Sequence, residues 1–212
     1  MKTTRLLPEP VARCIAPQIM LQNQRHSPLW QGQPIVLIGL MGVGKSTVGR
    51  RLAARLNLPF VDADSEIEAA AGMSIADIFE RFGEGYFRDG ERRVIARLID
   101  GQAKVIATGG GAFINPETRA LILDQALAVW LNANPRILAD RVKRRDTRPL
   151  LRGRDPAEVL TALAEQRNPL YALAPIHVSS QQAPHETTVA AIIKALGIAA
   201  DARQPPPVAE GD

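Results

Sequence analysis

Residues 35–47 read Ile-Val-Leu-Ile-Gly-Leu-Met-Gly-Val-Gly-Lys-Ser-Thr, and this stretch decides the fold. From Gly39 to Ser46 it matches the pattern G-x-x-x-x-G-K-[ST] without a mismatch. The apolar run before the glycines is typical of a buried parallel strand, and apolar residues recur at helical spacing after them. A strand, a glycine-rich loop and a helix in this order predict a loop whose backbone N–H groups hold a polyphosphate.

The residue types in this loop predict a nucleotide site. Lys45 is expected to reach the β- and γ-phosphates, and the Ser46 hydroxyl is expected to bind Mg²⁺. ATP is therefore the expected co-substrate and Mg²⁺ the expected cofactor. The predicted ATP contacts within the loop are Gly42, Val43, Gly44, Lys45, Ser46 and Thr47.

The composition is that of an ordinary globular protein. Of the 212 residues, 46% are apolar and 23% are charged, and the net charge is +4. No apolar stretch approaches the roughly 18 residues that a membrane-spanning helix needs, so no membrane partner is expected. With Cys14 as the single cysteine, an internal disulfide is excluded, and a reducing compartment such as the cytoplasm fits.

Proline-rich ends flank the predicted domain. We expect residues 1–33 to be a disordered N-terminal extension, residues 34–200 to form one domain, and residues 201–212 to be a disordered tail. The first segment is basic and poor in acids, which leaves a transit peptide as the alternative interpretation.

Between these ends the apolar pattern predicts strands that alternate with helices. The strands are expected at residues 35–38, 58–61, 104–108, 127–131 and 176–178. Helices are expected after the phosphate loop, at 66–71, 74–82 and 85–99, after Asn115-Pro116 and Asn134-Pro135, from Asp155-Pro156 to about Arg167, and at 188–196. This alternation predicts a three-layer α/β fold in which helices cover both faces of a five-stranded parallel sheet.

Two carboxylates follow the second predicted strand. Asp62 and Asp64 are placed where ligands bind in such sheets, beyond the carboxyl end of a strand. Residues two apart on a strand share a face, so both side chains are expected to point into one site. One carboxylate can help to hold Mg²⁺ through water, and the other can orient or deprotonate an attacking hydroxyl. The alternative is that the pair caps the helix expected near Glu66.

A glycine turn and two arginines suggest a second, acidic ligand. Residues 108–111 (Thr-Gly-Gly-Gly) follow a buried strand and allow a substrate to approach the backbone closely. Arginine binds carboxylates through a planar two-point fork, which makes Arg88 and Arg167 candidate substrate contacts. The alternatives are a flexible turn and solvated surface charges.

Positive charge is concentrated between Arg136 and Arg154, a segment that contains eight lysines and arginines and only two acidic residues. Such a cluster is compatible with nucleic-acid binding. Because a phosphate loop already requires cations and no aromatic residues interleave the cluster, the face of a nucleotide site is the better interpretation. Within it, Arg148 is a candidate lid arginine that closes over the transferring phosphate.

Six segments, in order and at compatible spacing, resemble the shikimate kinase family. They are residues 39–53 (GLMGVGKSTVGRRLA), 61–68 (VDADSEIE), 87–91 (FRDGE), 107–112 (ATGGGA), 148–151 (RPLL) and 167–171 (RNPLY). The resemblance extends over residues 35–197 and implies a P-loop kinase fold with a mobile lid at about residues 145–155. The implied reaction transfers the γ-phosphate of ATP to the 3-hydroxyl of shikimate. Its products are 3-phosphoshikimate and ADP, on the route to chorismate and the aromatic amino acids.

The resemblance also implies roles for individual residues. Asp62 would support the metal through water, and Asp64 would bind the shikimate hydroxyls and orient or deprotonate the attacking one. Arg88 and Arg167 would clamp the shikimate carboxylate, with Gly110 contacting the substrate through its backbone.

For the nucleotide, the implied catalytic lid residue is Arg148, acting with Lys45 and Asp64. Arg144 or Arg145 is expected to flank the adenine, and the loop at residues 179–184 is a second expected adenine contact. The extension at residues 1–33 lies outside the resemblance.

Two other functions stay open on the sequence alone: a kinase of the same architecture that acts on gluconate or a nucleotide, and a nucleic-acid-binding module. We expect a cytoplasmic monomer that binds shikimate and ATP and no nucleic acid or membrane.

Overall fold

A computed structural model describes residues 29–143, 155–180 and 184–197. The described residues contain a parallel sheet of five strands in the order β2-β3-β1-β4-β5, which confirms the predicted fold class. The strands are β1 (Ile35–Ile38), β2 (Phe60–Asp62), β3 (Val105–Ala107), β4 (Leu127–Asn132) and β5 (Ile176–Ser179).

Helices lie on both faces of this sheet. They are α1 (Lys45–Leu56), α2 (Ala63–Ala71), α3 (Ile75–Leu98), α4 (Pro116–Gln125), α5 (Pro135–Lys143), α6 (Pro156–Tyr171) and α7 (His185–Ala195), with a 3₁₀ turn at Ala112–Ile114. α1 and α7 pack against each other on one face. Because the crossovers of parallel strands are right-handed, α3, α4 and the α5–α6 pair lie on the other face. No helix in the described ranges is both long enough and apolar enough to cross a membrane.

The core is centred on the middle strands. β1 and β3 are buried along their whole length, and β4 is buried except at its last residue. In register, Val36 of β1 pairs with Ile106 on one side and Ala128 on the other. Strands covered on both faces are expected to be continuously apolar, as these are. Because all five strands are parallel, their carboxyl ends lie along the same side of the sheet, and the loops that follow them form a common site there.

Several helices begin at the residues that their capping signals predict. The side chain of Ser74 accepts a hydrogen bond from the amide of Asp77, and Asn115 accepts one from Thr118. Asp155 caps α6 in the same way, two residues before Ala157. Each cap satisfies an amide that the first turn of the helix leaves without a partner.

Other boundaries differ from the predicted ones. α2 begins at Ala63 rather than near Glu66, because Asp62 caps it directly after β2. By contrast, the two helices predicted at 74–82 and 85–99 are confirmed: they are the two parts of α3, separated by a kink at which the backbone of Gly83 is not helical. α6 continues past Arg167 to Tyr171 and contains Pro169, whose missing N–H costs one intrahelical bond near the end of the helix.

Candidate active site

The loop between β1 and α1 has the geometry that its motif predicts. α1 begins at Lys45, and its cap residue, Gly44, has a left-handed φ of 95°. Glycine adopts this conformation without strain, and it has no side-chain oxygen to occupy the amides of the first turn. A helix N-terminus of this kind attracts an anion through its amides and through the positive end of the helix dipole.

Lys45 provides a buried positive charge at this helix terminus. Its Nζ donates hydrogen bonds to the carbonyl oxygens of Gly39 at 2.8 Å and Leu40 at 3.0 Å. Only 9% of the residue is exposed. The ammonium group is therefore held against the phosphate loop itself.

Ser180, directly after β5, and His185, the first residue of α7, lie against the phosphate loop. The Ser180 hydroxyl, almost completely buried, donates to the carbonyl oxygen of Val43 at 3.0 Å. A Cβ on Gly44 would lie 3.4 Å from Cε1 of His185. Burial and the arginines of α1 and α5 nearby lower the pKa of His185. Sequence reasoning missed both contacts, since the only signal for them is that these residues follow the last strand.

Asp62 and Asp64 lie at the same edge of the sheet but in different elements. Asp62 ends β2, and its Oδ1 accepts a hydrogen bond from the amide of Asp64 at 3.2 Å. Asp64 belongs to the first turn of α2. The expectation that both residues share the face of a strand was wrong, because the chain turns into a helix directly after Asp62. The capping role that was the alternative is present for Asp62.

Arg88 lies against the glycine turn that follows β3. A Cβ on Gly111 would overlap its guanidinium group, so the two are in direct contact. Its Nη1 is 2.7 Å from Oε2 of Glu91, and its Nη2 is 3.0 Å from Oε1 of Glu84. Burial acts to lower the pKa of Arg88, but these two carboxylates raise it overall. Arg88 is thus a permanently charged group held in a defined orientation.

Glu91 is another site residue that sequence reasoning did not assign. It is 2% exposed, and within the described part of the chain its Oε1 has no hydrogen-bond partner. Burial raises the pKa of Glu91; the charge of Arg88 opposes this shift and that of Asp64 adds to it. A signal was present in the sequence, because a residue three positions after Arg88 on a helix lies on the same face.

The turn at residues 109–111 brings these groups together. A Cβ on Gly109 would lie 2.8 Å from Oε1 of Glu91 and 2.9 Å from Oδ1 of Asp64. The carbonyl oxygen of Gly110 accepts a hydrogen bond from Nη1 of Arg167 at 2.9 Å. The structure therefore places Asp64, Arg88, Gly110 and Arg167 around one turn.

The same turn also touches the phosphate loop. A Cβ on Gly110 would lie 3.5 Å from the carbonyl oxygen of Gly39 and 3.5 Å from the amide nitrogen of Met41. The cluster of carboxylates and arginines at this turn therefore lies next to the predicted polyphosphate site, because β1 and β3 are neighbouring strands.

Several predicted residues fall in the undescribed segment between α5 and α6. These are the lid arginine Arg148, the adenine candidates Arg144 and Arg145, and all of the lid at 145–155 except Asp155. Of the second adenine candidate, the loop at 179–184, residues 181–183 are also outside the described ranges.

The fold is that of a P-loop kinase, and a cluster of carboxylates and arginines adjoins its phosphate loop. The family model for shikimate kinase matches residues 41–197. The chain belongs to the shikimate kinase family, as its motifs led us to expect.

Individual relatives agree with this assignment. The chain is 61% identical over 166 residues to a shikimate kinase from Caulobacter vibrioides, covering 78% of this chain and 83% of the relative. A shikimate kinase from Acinetobacter baumannii, solved in complex with shikimate, superposes with a TM-score of 0.74 at 36% identity, covering 77% of this chain and 92% of that one. A gluconokinase from Sinorhizobium meliloti, at 18% identity and a TM-score of 0.52, shares the fold alone, with coverage of 78% and 92%.

Proposed function

We propose that this protein transfers the γ-phosphate of ATP to the 3-hydroxyl of shikimate. The observation that carries the proposal is the close approach of Gly110 to Gly39 and Met41, which brings the turn at 109–111, our candidate for the acceptor site, beside the phosphate loop. Phosphoryl transfer requires little covalent chemistry from the protein and depends on positioning and on charge neutralisation. Two contiguous sites, one built for phosphates and one for a hydroxy acid, meet that requirement. Family membership supports the choice of shikimate.

Asp64 is the residue that we assign to the nucleophile. Its carboxylate faces Gly109 at the junction between the two sites. From there it can accept the proton of the attacking hydroxyl, or hold that hydroxyl in line with the phosphate. Lys45 stabilises the negative charge that builds on the phosphates, and we assign the same function to Arg148.

Arg88 and Arg167 are proposed to bind the carboxylate of shikimate. They approach the turn at 109–111 from α3 and α6, that is, from two different helices. Both keep further N–H donors, since a guanidinium group has five and the contacts above use only some of them. A bound carboxylate would fix the ring of the substrate and thereby the position of its hydroxyl.

The donor atoms also fit Mg²⁺. The described residues contain no group of three or more His, Cys, Asp or Glu side chains that could hold a metal by themselves. Mg²⁺ commonly takes one or two protein oxygens and completes its shell with phosphates and water. The Ser46 hydroxyl, at the start of α1, and the Asp62 carboxylate, acting through water, would hold the ion. When bound, the ion would neutralise phosphate charge.

We further propose that the protein acts as a cytoplasmic monomer without a nucleic-acid or membrane partner. The basic cluster at 136–154 is accounted for by a nucleotide-binding role, because most of its cations lie next to the expected lid. Closure of the lid would exclude water and prevent hydrolysis of ATP.

A coupled assay of ADP release tests the proposal with four acceptors: shikimate, shikimate methyl ester, gluconate and none. We expect Mg²⁺-dependent turnover with shikimate and little with gluconate. The methyl ester should have a KM higher by about one to two orders of magnitude, since charge-assisted hydrogen bonds contribute about 1.5–3 kcal/mol. Turnover with gluconate but not shikimate would overturn the assignment, and equal KM values for acid and ester would overturn the arginine clamp.

A further inference from the structure

One carbonyl oxygen at the acceptor site, that of Gly110, accepts hydrogen bonds from two side chains of α6. Nη1 of Arg167 donates to it at 2.9 Å, and the hydroxyl of Tyr171 donates to it as well. Residues four apart on a helix project from the same side, so both donors reach one acceptor. A carbonyl oxygen has two lone pairs, and these two donors use both.

The two donors differ in how firmly they are held. Tyr171 is 1% exposed, and its ring lies against the rings of Phe113 and Trp130, with centroids 6.4 Å and 6.1 Å apart. Burial raises the pKa of Tyr171, so the phenol keeps its proton and remains a donor. Arg167 is partly exposed and has a long, flexible stem. The tyrosine hydroxyl is therefore the fixed point of this arrangement.

The carbonyl that Tyr171 holds belongs to a peptide at the centre of the site. In a planar trans peptide the C=O and N–H groups point in opposite directions. Holding the Gly110 carbonyl towards α6 therefore aims the amide of Gly111, the residue against which Arg88 lies, away from α6. The same carbonyl oxygen accepts the hydrogen bond from Arg167. One hydroxyl thus fixes a peptide that touches both arginines.

We propose that Tyr171 is a positioning residue for the acceptor site: its hydroxyl fixes the Gly110 carbonyl, and through it the Arg167 guanidinium and the 110–111 peptide that face the shikimate carboxylate. The inference rests on the proposed function, since it assigns shikimate to this pocket. Among the described residues Tyr171 makes no hydrogen bond to the phosphate loop, which it approaches only through Gly110, so its hydroxyl should affect shikimate binding far more than ATP binding.

Tyr171→Phe tests this, because it removes the hydroxyl and keeps the packed ring. Calorimetry should give a shikimate Kd about three to tenfold weaker, the range expected for one hydrogen bond, and an ATP Kd within about twofold of wild type. The matched control is Tyr86→Phe, which removes a hydroxyl from the second tyrosine of the chain, at 53% exposure, and should change neither Kd. A Tyr171→Phe variant that binds shikimate like wild type, or that loses ATP and shikimate affinity equally, overturns the proposal.

A double-mutant cycle separates positioning from general support of the fold. If Tyr171 acts through Arg167, the loss caused by Tyr171→Phe should largely disappear in an Arg167→Ala background. Additive losses would mean that the hydroxyl does not act through the guanidinium. A wild-type enzyme without measurable shikimate binding would instead refute the proposed function, which keeps the two failures distinct.

A measurement on unsubstituted protein removes any dependence on the folding of the variant. Labelling with 3-fluorotyrosine gives two ¹⁹F resonances, since the chain has two tyrosines, and Tyr86→Phe assigns them. Shikimate should shift the Tyr171 resonance, and ATP alone should not. A Tyr171 resonance that does not respond to shikimate would contradict the positioning role.

Discussion

Glu91 is the buried charge on which the orientation of Arg88 depends. The guanidinium group of Arg88 contacts two carboxylates, but Glu84 is on the surface whereas Glu91 is enclosed, with side-chain exposures of 65% and 3%. Exposed ion pairs contribute little because water and salt screen them. A buried, charge-assisted bond is stronger and more directional. Glu91 should therefore position Arg88, and Glu84 should matter much less.

Glu91→Gln is expected to raise the shikimate KM by roughly threefold to tenfold, because the bond to Arg88 loses its charge assistance, a difference of about 1 kcal/mol. Glu84→Gln is the matched control and should leave KM within about twofold. Steady-state kinetics at saturating ATP distinguish the two variants. A lower KM in Glu91→Gln would mean instead that the charge of Glu91 acts mainly by repelling the substrate carboxylate.

Asp64→Asn is expected to lower kcat about a hundredfold or more, the usual scale for loss of a general base, with a small change in shikimate KM. The variant keeps the size of the side chain and removes its ability to accept a proton. Asp62→Asn is the comparison: it should raise the Mg²⁺ concentration needed for half-maximal rate, whereas Asp64→Asn should leave that concentration unchanged. A wild-type kcat in Asp64→Asn would exclude proton acceptance by this residue.

At the residue scale, the sequence predicted the site residues that belong to recognisable motifs. It missed the residues that hold another site residue or a loop backbone in place. Asp64, Arg88, Gly110 and Arg167 surround one turn in the structure. Glu91 could have been found from its helical spacing to Arg88. Tyr171 and Ser180 could not, because their partners are backbone atoms 61 and 137 residues away along the chain. Contacts of that separation depend on the packing of the sheet and not on any local pattern.

At the element scale, the close approach of α1 to the sheet depends on a glycine. Gly49 is buried in the middle of α1, and a Cβ there would lie 2.6 Å from Cε2 of Phe60 and 3.2 Å from Cδ1 of Leu37. The first distance is too short for two carbon atoms, so a larger residue must displace either the Phe60 ring or the helix. This contact sets the depth at which α1, and with it the phosphate loop, lies on β1 and β2.

Gly49→Ala is expected to destabilise the protein, because overpacking costs about 1–3 kcal/mol and outweighs the gain of about 1 kcal/mol in helix propensity. Gly90→Ala in α3 is the control, since no described atom lies within 4 Å of its Cβ position. It should raise the free energy of unfolding by up to about 1 kcal/mol. Denaturant titration of both variants isolates the packing contribution as the difference. Equal stabilisation by the two alanines would show that α1 can move freely.

Element boundaries were predictable where a local signal was decisive. Three helices begin at a proline that follows an Asn or Asp, as predicted: at Asn115-Pro116, Asn134-Pro135 and Asp155-Pro156. The start of α2 was placed too late, since Asp62 is both the last residue of β2 and the cap of α2, and a strand pattern hides a cap within it. The kink at Gly83, with φ 79° and ψ 176°, is the break between the two helices that the sequence pattern predicted within α3.

At the scale of the whole molecule, the order β2-β3-β1-β4-β5 is what assembles the site. β3 lies between β2 and β1, so the turn at 109–111 is flanked by Asp62 on one side and by the phosphate loop on the other. The alternation of strands and helices predicted a parallel sheet, and its carboxyl edge was the expected place for ligands. Strand order cannot be obtained from alternation alone, because insertion of β3 between β1 and β2 depends on long-range pairing.

At the amino ends of the strands, contacts of Trp30 indicate how much of the N-terminal segment belongs to the folded domain. Trp30 packs against the core, its amide donates to the carbonyl oxygen of Leu196, and its Nε1 donates to that of Gln33 at 2.7 Å. These contacts join the segment before β1 to the end of α7. They lie at the amino end of β1, remote from the site at its carboxyl end.

A chain that begins at Leu29 should therefore have the same Tm and kcat as the full chain. A chain that begins at Pro34 should have a lower Tm and an unchanged kcat. Partial burial of a tryptophan contributes about 1–3 kcal/mol, which corresponds to roughly 2–10 °C for a domain of this size. Trp30→Ala in the full chain is the matched control and should reproduce most of that loss. Thermal unfolding and the ADP-release assay give the two readouts. A lower Tm for the chain that begins at Leu29 would mean that residues 1–28 contribute to the folded domain, although the sequence predicts that all of residues 1–33 are a disordered extension. A loss of kcat without a loss of Tm would mean that those residues act at the site itself.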